Sequence, residues 1–465
     1  MRLIIVCFLM LLFGTSTLSQ TLWQHGPLKI SPNQHYLQFT DGTPFFWLGD
    51  TGWELFHRLN LTEANEYLSN RSLRGFNVIQ AVILAEFDGL RKPNRNGDIP
   101  FYDLNPEKPN ENYFLYVDSV IHLAKEKNLF MGLLPTWGDK VTQLWGEGPV
   151  VFNQSNAFNY GLFLGNRYKN EPNIIWILGG DRPAKNDSAD WRPIWSAMAK
   201  GIKQGTNNNA IFSYHPWGGD YSTTQFMPDE KWLDVNMFQS GHGGGHDVPT
   251  WELVDRDRKI LPIKPTLDGE PNYEDHPVNP WPTWNPANGY YDDYDVRKQC
   301  YRSVFAGACG VTYGHHSVWQ FYSEREPVIN FAKMYWQQAI TRPGATQVGY
   351  LKKLMECRPM LNRIPDDNII VSGQGTKEQH MVAFRAEDGS FGMVYLPIGK
   401  PITIDLSFIQ QRQIHAWWFN PKNAAVIDIG KINRNKASQF TPPSNGIGND
   451  WVLVLDEFNN TFSMP

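Results

Sequence analysis

Eight short apolar runs, set roughly 30 to 50 residues apart with helical stretches between them, constrain this chain more than any other feature. They are "PFFWLGDT" (44–51), "FNVIQAVILAEF" (76–87), "LFMGLLPTWG" (129–138), "NIIWILGGD" (173–181), "AIFSYHPWG" (210–218), "LDVNMFQSGH" (233–242), "IKPTLDGEP" (263–271) and "GVTYGHHSVW" (310–319). The segments between them carry helical spacing. "LTEANEYLSNRSLRG" opens on a Thr cap with a Glu in the first turn and closes at Gly75. "NYFLYVDSVIHLAKEKN" sets Phe114, Val117, Val120, Ile121 and Ala124 on one face, and "YDVRKQCYRSVFAGA" does the same with Val296, Cys300 and Val304. Strands that are apolar throughout and alternate with helices imply a parallel sheet covered by helices. Eight such units fit an α/β fold, a (β/α)8 TIM barrel. The rival doubly wound sheet usually carries a Gly-rich phosphate turn after its first strand, and "LGDTGW" does not fit that fingerprint.

The flanks read differently. "MRLIIVCFLMLLFGTSTLSQ" has one positive charge, a short apolar run and then small polar residues, the pattern of a secretory signal peptide ending near residue 19. A short β-rich lead-in follows, with "DGTP" as a turn between two strands. Near 360, after an expected helix "VINFAKMYWQQAI", the pattern changes to "NIIVSG", "HMVAFRA", "FGMVYLP", "ITIDLSF", "IHAWWFNP", "AAVIDIG" and "DWVLVLDE". Short, partly alternating runs between turn residues predict a small antiparallel β-sandwich. The expected division is a signal peptide at 1–19, a catalytic barrel at 20–355 and a β-sandwich module at 356–465. No other stretch is apolar enough for a membrane span. Three cysteines remain after cleavage, Cys300, Cys309 and Cys357, too few for a disulfide scaffold in an exported protein. Three buried thiols are expected, with a single Cys300–Cys309 bridge left open. Five Asn-x-Ser/Thr sites would count only in a eukaryotic secretory pathway.

In a barrel of this class the site is built where the strands end. Those ends carry Asp50 and Trp53, Glu86 and Asp88, Trp137 and Asp139, Asp181 and Arg182, His215 and Trp217, Gln239 and His242, Asp268 and Glu270, and His315, His316 and Trp319. One charged strand end is commonly just solvated. Eight ends converging on carboxylates, His and Trp suggest a sugar pocket, because a Trp face covers the C–H face of a sugar ring. The 18 Trp residues serve that reading or a large aromatic core equally well. A net charge of −5 gives no basic field for nucleic acid.

Glycosidic cleavage needs two carboxyl groups at the anomeric carbon: a protonated acid for the leaving oxygen, and a nucleophile or a base for water. Asp181 ends the fourth run and Glu270 the seventh, so a closed barrel would set them facing each other. Gly179, Gly180 and Gly269 are expected to clear space for a substrate ring, and Pro183 and Pro271 to end the strands. Competing readings make Asp181 a structural ion pair with Arg182 or Arg192, or make Glu270 a loop-holder through backbone amides. Asp268 or Glu86 would then be the true partner. His242 and His246 have the i, i+4 spacing of a helical zinc pair, but three intervening glycines oppose a helix and no third ligand is evident, so no metal and no cofactor is expected.

The stretches "FFWLGDTGWELFHRL", "NIIWILGGDRP", "SYHPWG", "DGEPNYED" and "YGHHSVWQF" resemble the apiosidase-like (β/α)8 glycosidases, glycoside hydrolase family 140. The C-terminal region resembles the β-module often labelled collagen-binding in those proteins. The resemblance implies an exo-acting enzyme that releases apiose from side chains of the plant pectin rhamnogalacturonan-II, exported to the periplasm or cell surface of a Gram-negative bacterium. It implies Asp181 as acid/base and Glu270 as nucleophile of a retaining mechanism; Trp137, Trp217 and Trp319, read from the residues, are candidate stacking walls. The remaining strand-end residues (Asp50, Trp53, Glu86, Asp139, His215, Gln239, His242, His315 and His316) would bind a pectic oligosaccharide. The wider clan usually carries Asn-Glu after strand four, and this chain has Gly-Asp. Alternatives are a sibling glycosidase for arabinofuranosides or galactosides, and a non-catalytic binding protein. In the module, packing against the barrel accounts for Trp417 and Trp418 better than an adhesive surface.

Overall fold

Each of the eight runs forms one strand of a single parallel sheet in the computed structural model, which describes residues 21–142, 144–219, 221–278, 284–460 and 462–465. The expected signal peptide lies outside the described residues. The strands are β1 (Trp47–Thr51), β2 (Val78–Val82), β3 (Phe130–Leu134), β4 (Ile174–Gly179), β5 (Phe212–His215), β6 (Asn236–Phe238), β7 (Thr266–Asp268) and β8 (Gly310–Tyr313). They pair in the order β5-β4-β3-β2-β1-β8-β7-β6. The ring closes between β5 and β6, where Val235 N–H donates to Phe212 O at 3.0 Å and Ser213 Oγ to Val235 O at 3.0 Å. The result is a TIM barrel. Its interior is filled by Val78, Val82, Leu134, Ile177, Met237 and Leu267. A polar ladder crosses it: Trp47 Nε1 donates to Thr312 Oγ1, Thr312 to Gln80 Oε1 at 3.1 Å, and Gln80 Nε2 to Gly269 O at 2.9 Å. That last bond pins the backbone one residue before Glu270.

The helices after each strand are α1 (Leu61–Leu73), α2 (Glu111–Glu126), α3 (Gln154–Tyr168), α4 (Arg192–Gly205), α5 (Thr223–Phe226), α6 (Thr250–Arg258), α7 (Asp293–Phe305) and α8 (Pro343–Glu356). Asn60, not the expected Thr62, caps α1, through a capping box with Glu63. The helix expected at 328–340 is reduced to Trp336–Ala339, because Asn330 (φ 47°) and Phe331 (φ 64°) take left-handed backbone that no helix continues. The eighth helix starts instead at Pro343, whose fixed φ suits the first turn.

Helices α3 and α4 touch backbone to backbone. A Cβ on Gly161 would sit 2.3 Å from Met198 O, and one on Gly201 would sit 2.1 Å from Phe158 O. The seam fixes the start of α4, and hence the loop that leaves β4. Gly201→Ala is expected to overpack it and cost about 1–3 kcal/mol, read as a lowered urea midpoint with an unchanged m-value.

The lead-in strands Leu28–Ile30, Leu37–Phe39 and Pro44–Phe45 form an antiparallel sheet whose Phe39 and Phe45 pack on Phe130 at the bottom of the barrel. "DGTP" turns between the last two of these strands, as expected.

Beyond α8 lies an antiparallel sandwich. Its strands are β9 (Arg363–Pro365), β10 (Ile370–Ser372), β11 (Val382–Ala386), β12 (Phe391–Leu396), β13 (Ile402–Ile404), β14 (Gln413–Phe419), β15 (Val426–Asn433), β16 (Ser438–Phe440) and β17 (Trp451–Glu457). Six strands pair as β9-β11-β12-β17-β14-β15 and three as β10-β13-β16. The larger sheet lies on α7 and α8. Tyr301 stacks on Tyr395 at 4.9 Å, and the buried Arg297 and Arg358 pair with Asp450 and Asp456 at 2.8 and 2.6 Å. Trp417 packs on this shared core, whereas Trp418 belongs to the module's own core, a correction to the expectation that both serve the barrel contact. The thiols of Cys300, Cys309 and Cys357 are free; the first two are buried and Cys357 is half-buried.

Candidate active site

Where the barrel strands end, a cavity of about 560 Å³ opens. It gathers three carboxyl groups, Glu86, Asp181 and Glu270, among Trp53, Phe87, Trp137, Trp145, Trp217, Trp284 and Trp319. A wider, more open depression runs along α4 beside Lys200 and Asp229, away from these groups.

The chain leaves β4 through three consecutive left-handed residues: Gly179 (φ 86°), Gly180 (φ 111°) and Asp181 (φ 51°). Asp181 is not a glycine, so its conformation is strained, as residues held at functional sites often are. The glycines do not make room for substrate, contrary to the sequence expectation. A Cβ on Gly179 would lie 2.4 Å from His215 O, and one on Gly180 would lie 2.9 Å from Gly138 N. They let the turn press on its neighbours. Gly269 likewise presses on Met237, 2.4 Å from where its Cβ would be. Asp181 Oδ2 accepts from Trp145 Nε1 at 3.2 Å and from Arg182 Nη1 at 3.3 Å. The Arg182 pairing weighed in the sequence is therefore present, but it leaves the carboxyl on the cavity wall. Burial pushes the Asp181 carboxyl above the ordinary range; Arg182 opposes this and the charge of Glu270 adds to it.

Glu270 is gripped from three sides. Tyr273 OH donates to Oε1, His242 Nε2 lies 3.3 Å from Oε1, and His215 Nε2 lies 3.0 Å from Oε2. Trp53 Nε1 donates to Tyr273 OH at 2.9 Å and so orients that phenol. Burial alone would raise the Glu270 carboxyl, but the contacts with His215 and His242 outweigh it and hold the group well below the usual carboxylate range. His215 is raised in turn: burial lowers it, but the Glu270 contact and the charges of Glu270 and Asp181 win. Its Nδ1 lies 2.8 Å from Pro216 O and 3.3 Å from Asp181 N, so the ring also braces the turn that carries Asp181.

Of the three carboxyl groups in this cavity, Asp181 and Glu86 are driven toward the acid form and Glu270 toward the ionised form. That separation is how a site assigns acid and base roles to chemically similar groups.

Several residues named from sequence do not reach the cavity. Asp50 is fully buried and accepts from Arg71 Nε and Tyr67 OH, both at 2.6 Å. Asp139 pairs with Lys140 at 2.8 Å and accepts from Gly148 N–H. His315 pairs with Asp275 at 3.1 Å. His316 contacts Asn330 O and accepts from Trp319 Nε1 at 3.3 Å, which makes it a support for that ring. His215 sits behind Glu270. Trp53, Glu86, Trp137, Trp217, Gln239, His242 and Trp319 do line the cavity. The alternative partner Asp268 is buried, bonded to Ser240 at 2.6 Å and pushed up to about 7 by burial. His242 and His246 diverge: the second pairs with Asp295 on α7 at 2.9 Å. Among the described residues, no group of three His, Cys, Asp or Glu side chains is placed to hold a metal ion.

Sequence reading missed Trp145, Phe87, Tyr273, His276 and Trp284. Tyr273 carried a signal, three residues after Glu270 within "NYED". Trp145 and Trp284 sit in long loops whose course no periodicity reveals.

A family model described as "Apiosidase-like, catalytic domain" matches residues 31–362, and one described as "Putative collagen-binding domain of a collagenase" matches residues 364–456. A solved glycoside hydrolase is 33% identical over 96% of this chain and 100% of its own, with a TM-score of 0.87. A glycoside hydrolase family 5 structure from Bacteroides vulgatus is 32% identical over 96% of both chains, also at 0.87. A second glycoside hydrolase structure from that organism, at 14% identity and 0.67, shares the fold. No curated protein matches the chain. With a barrel matched over most of its length and two carboxyl groups of opposite tendency in its mouth, this chain belongs to the apiosidase-like family of glycoside hydrolases.

Proposed function

We propose that this glycosidase releases terminal apiose from side chains of rhamnogalacturonan-II by a retaining double displacement, with Asp181 as acid/base and Glu270 as nucleophile. The observation that carries the chemistry is that Asp181 and Glu270 share the wall of one Trp-lined cavity, with Glu270 held by Tyr273, His242 and His215; the opposed shifts of the two groups support it. Asp181 protonates the leaving oxygen while Glu270 attacks the anomeric carbon. Asp181, now ionised, takes a proton from water, which cleaves the glycosyl–Glu270 ester and regenerates both groups. Tyr273 and His242 hold the Glu270 carboxylate for attack. Trp137, Trp217 and Trp319 supply ring faces for the sugar. The family match favours apiose over arabinofuranose or galactose. The signal-like segment at 1–19 supports export to the periplasm or cell surface of a Gram-negative bacterium.

Chromatography of the monosaccharide freed from rhamnogalacturonan-II oligosaccharides tests the substrate. Apiose is the expected product; arabinose or galactose alone would reassign the enzyme within its fold.

The pH dependence of kcat/KM follows from the two shifts. Activity requires Glu270 ionised and Asp181 protonated. The acid limb is therefore expected below the ordinary carboxylate range, and the alkaline limb above an ordinary aspartate value. In Asp181→Asn the alkaline limb assigned to this group is expected to vanish from the residual activity.

A further inference from the structure

We propose that Glu86 is a sugar-binding group of this site that acts as a neutral carboxylic acid, donating and accepting hydrogen bonds with a hydroxyl of the sugar held beside Asp181. The inference rests on the glycosidase reading above and assigns a working form to a third carboxyl in its cavity. Glu86 follows β2, and its carboxyl faces the cavity with 21% of the side chain exposed. Among the described residues that carboxyl makes no hydrogen bond. The closest cation, Arg182 Nη2, is 4.0 Å from Oε1. Arg182 itself is committed elsewhere, through Nη1 to Asp181 O at 2.7 Å and through Nη2 to Trp145 O at 2.7 Å.

A half-buried carboxyl on the wall of a Trp-lined cavity, with no hydrogen bond among the described residues, is free to bond a ligand hydroxyl. Its neighbours set its form. Asp181 from the β4 turn, Asp139 from the β3 loop and Glu54 from the β1 loop face it with negative charge; Arg182 alone among the leading influences opposes them. Lys140 reaches only the backbone oxygens of Ala85 and Glu86 and is paired with Asp139. Burial, opposed by Arg182 and reinforced by these carboxylates, pushes Glu86 up to about 8. An ionised carboxylate can only accept; the neutral acid also donates. A polyhydroxylated ring would use both capacities, and ionisation would remove one.

The sign is fixed by this form. Sugar affinity should be full below pH 8 and fall as Glu86 ionises above it. Glu86→Gln keeps a neutral donor and acceptor of the same shape; Glu86→Ala removes both. The test is binding of free apiose, L-arabinose and D-galactose, each followed by tryptophan fluorescence from pH 6 to pH 10. The wild-type protein is expected to lose about 3- to 10-fold in affinity for its sugar across pH 8, the size of one hydrogen bond. Glu86→Gln should bind within about 3-fold of wild type at pH 7 and stay flat across that range. Glu86→Ala should be weak and equally flat. A Glu86→Gln profile that falls like the wild type, a Glu86→Ala protein that binds as tightly as wild type at pH 7, or a pocket that takes none of the three sugars overturns the proposal. Binding needs no turnover, so loss of the Asp181–Glu270 chemistry would show separately as a protein that binds sugar and releases none.

Discussion

Glu270→Gln is expected to lower kcat by about 10⁴- to 10⁶-fold, the scale seen when a covalent nucleophile is removed, with the circular dichroism spectrum unchanged. The physical reason lies in how the residue is held. Tyr273, His242 and His215 converge on one carboxylate and keep it ionised within a buried wall. An amide of the same shape keeps the packing but cannot attack. It also meets three donor groups with one fewer acceptor, so KM is expected to change far less than kcat. Asp181→Asn is expected to cost about 10²- to 10⁴-fold, the usual contribution of one general acid. Its effect should be smallest on aryl glycosides, whose leaving oxygen needs little protonation. Near wild-type turnover in either variant would remove that residue from the reaction.

Asp50→Ala is expected to destabilise the barrel by about 3–5 kcal/mol, with a lowered urea midpoint. Both Asp50 and Arg71 are fully buried, and Tyr67 OH shares the same carboxylate oxygen. Burial raises the Asp50 carboxyl above its ordinary value despite the Arg71 charge and the Tyr67 bond. Removing the acid leaves Arg71 Nε without its carboxylate partner in a fully buried setting, with only Nη1 still bonded among the described residues, to Asn70 Oδ1 and Ile340 O. An Asp50→Ala protein with wild-type stability but lost sugar binding would return this residue to the site.

The architecture was legible because burial writes itself into the sequence. All eight barrel strands fall within the eight apolar runs; five of the nine module strands fall within the short runs read there, and two more, Gln413–Phe419 and Val426–Asn433, overlap them and run beyond. Those missed, Arg363–Pro365 and Ser438–Phe440, are three residues each and carry no pattern. The carboxyl groups of the site were legible for another reason: in a barrel, the strand end locates the mouth. What a strand end cannot disclose is the direction in which its side chain points. Asp50 lies in the last residues of β1 and Glu86 in the loop after β2; one turns outward to Arg71 and the other faces the cavity. The glycines around Asp181 show the same limit. Their sequence signals freedom of backbone, but only the neighbours, His215 O and Gly138 N, show that the freedom serves close packing.

The most direct test is proton NMR of the wild-type enzyme acting on a rhamnogalacturonan-II side-chain oligosaccharide, read before the product mutarotates. Apiose released with the anomeric configuration it had in the substrate is the expected result, because double displacement at Glu270 inverts that centre twice. Apiose of inverted configuration would contradict the assignment of Glu270 as nucleophile and make it the base for a single attack by water.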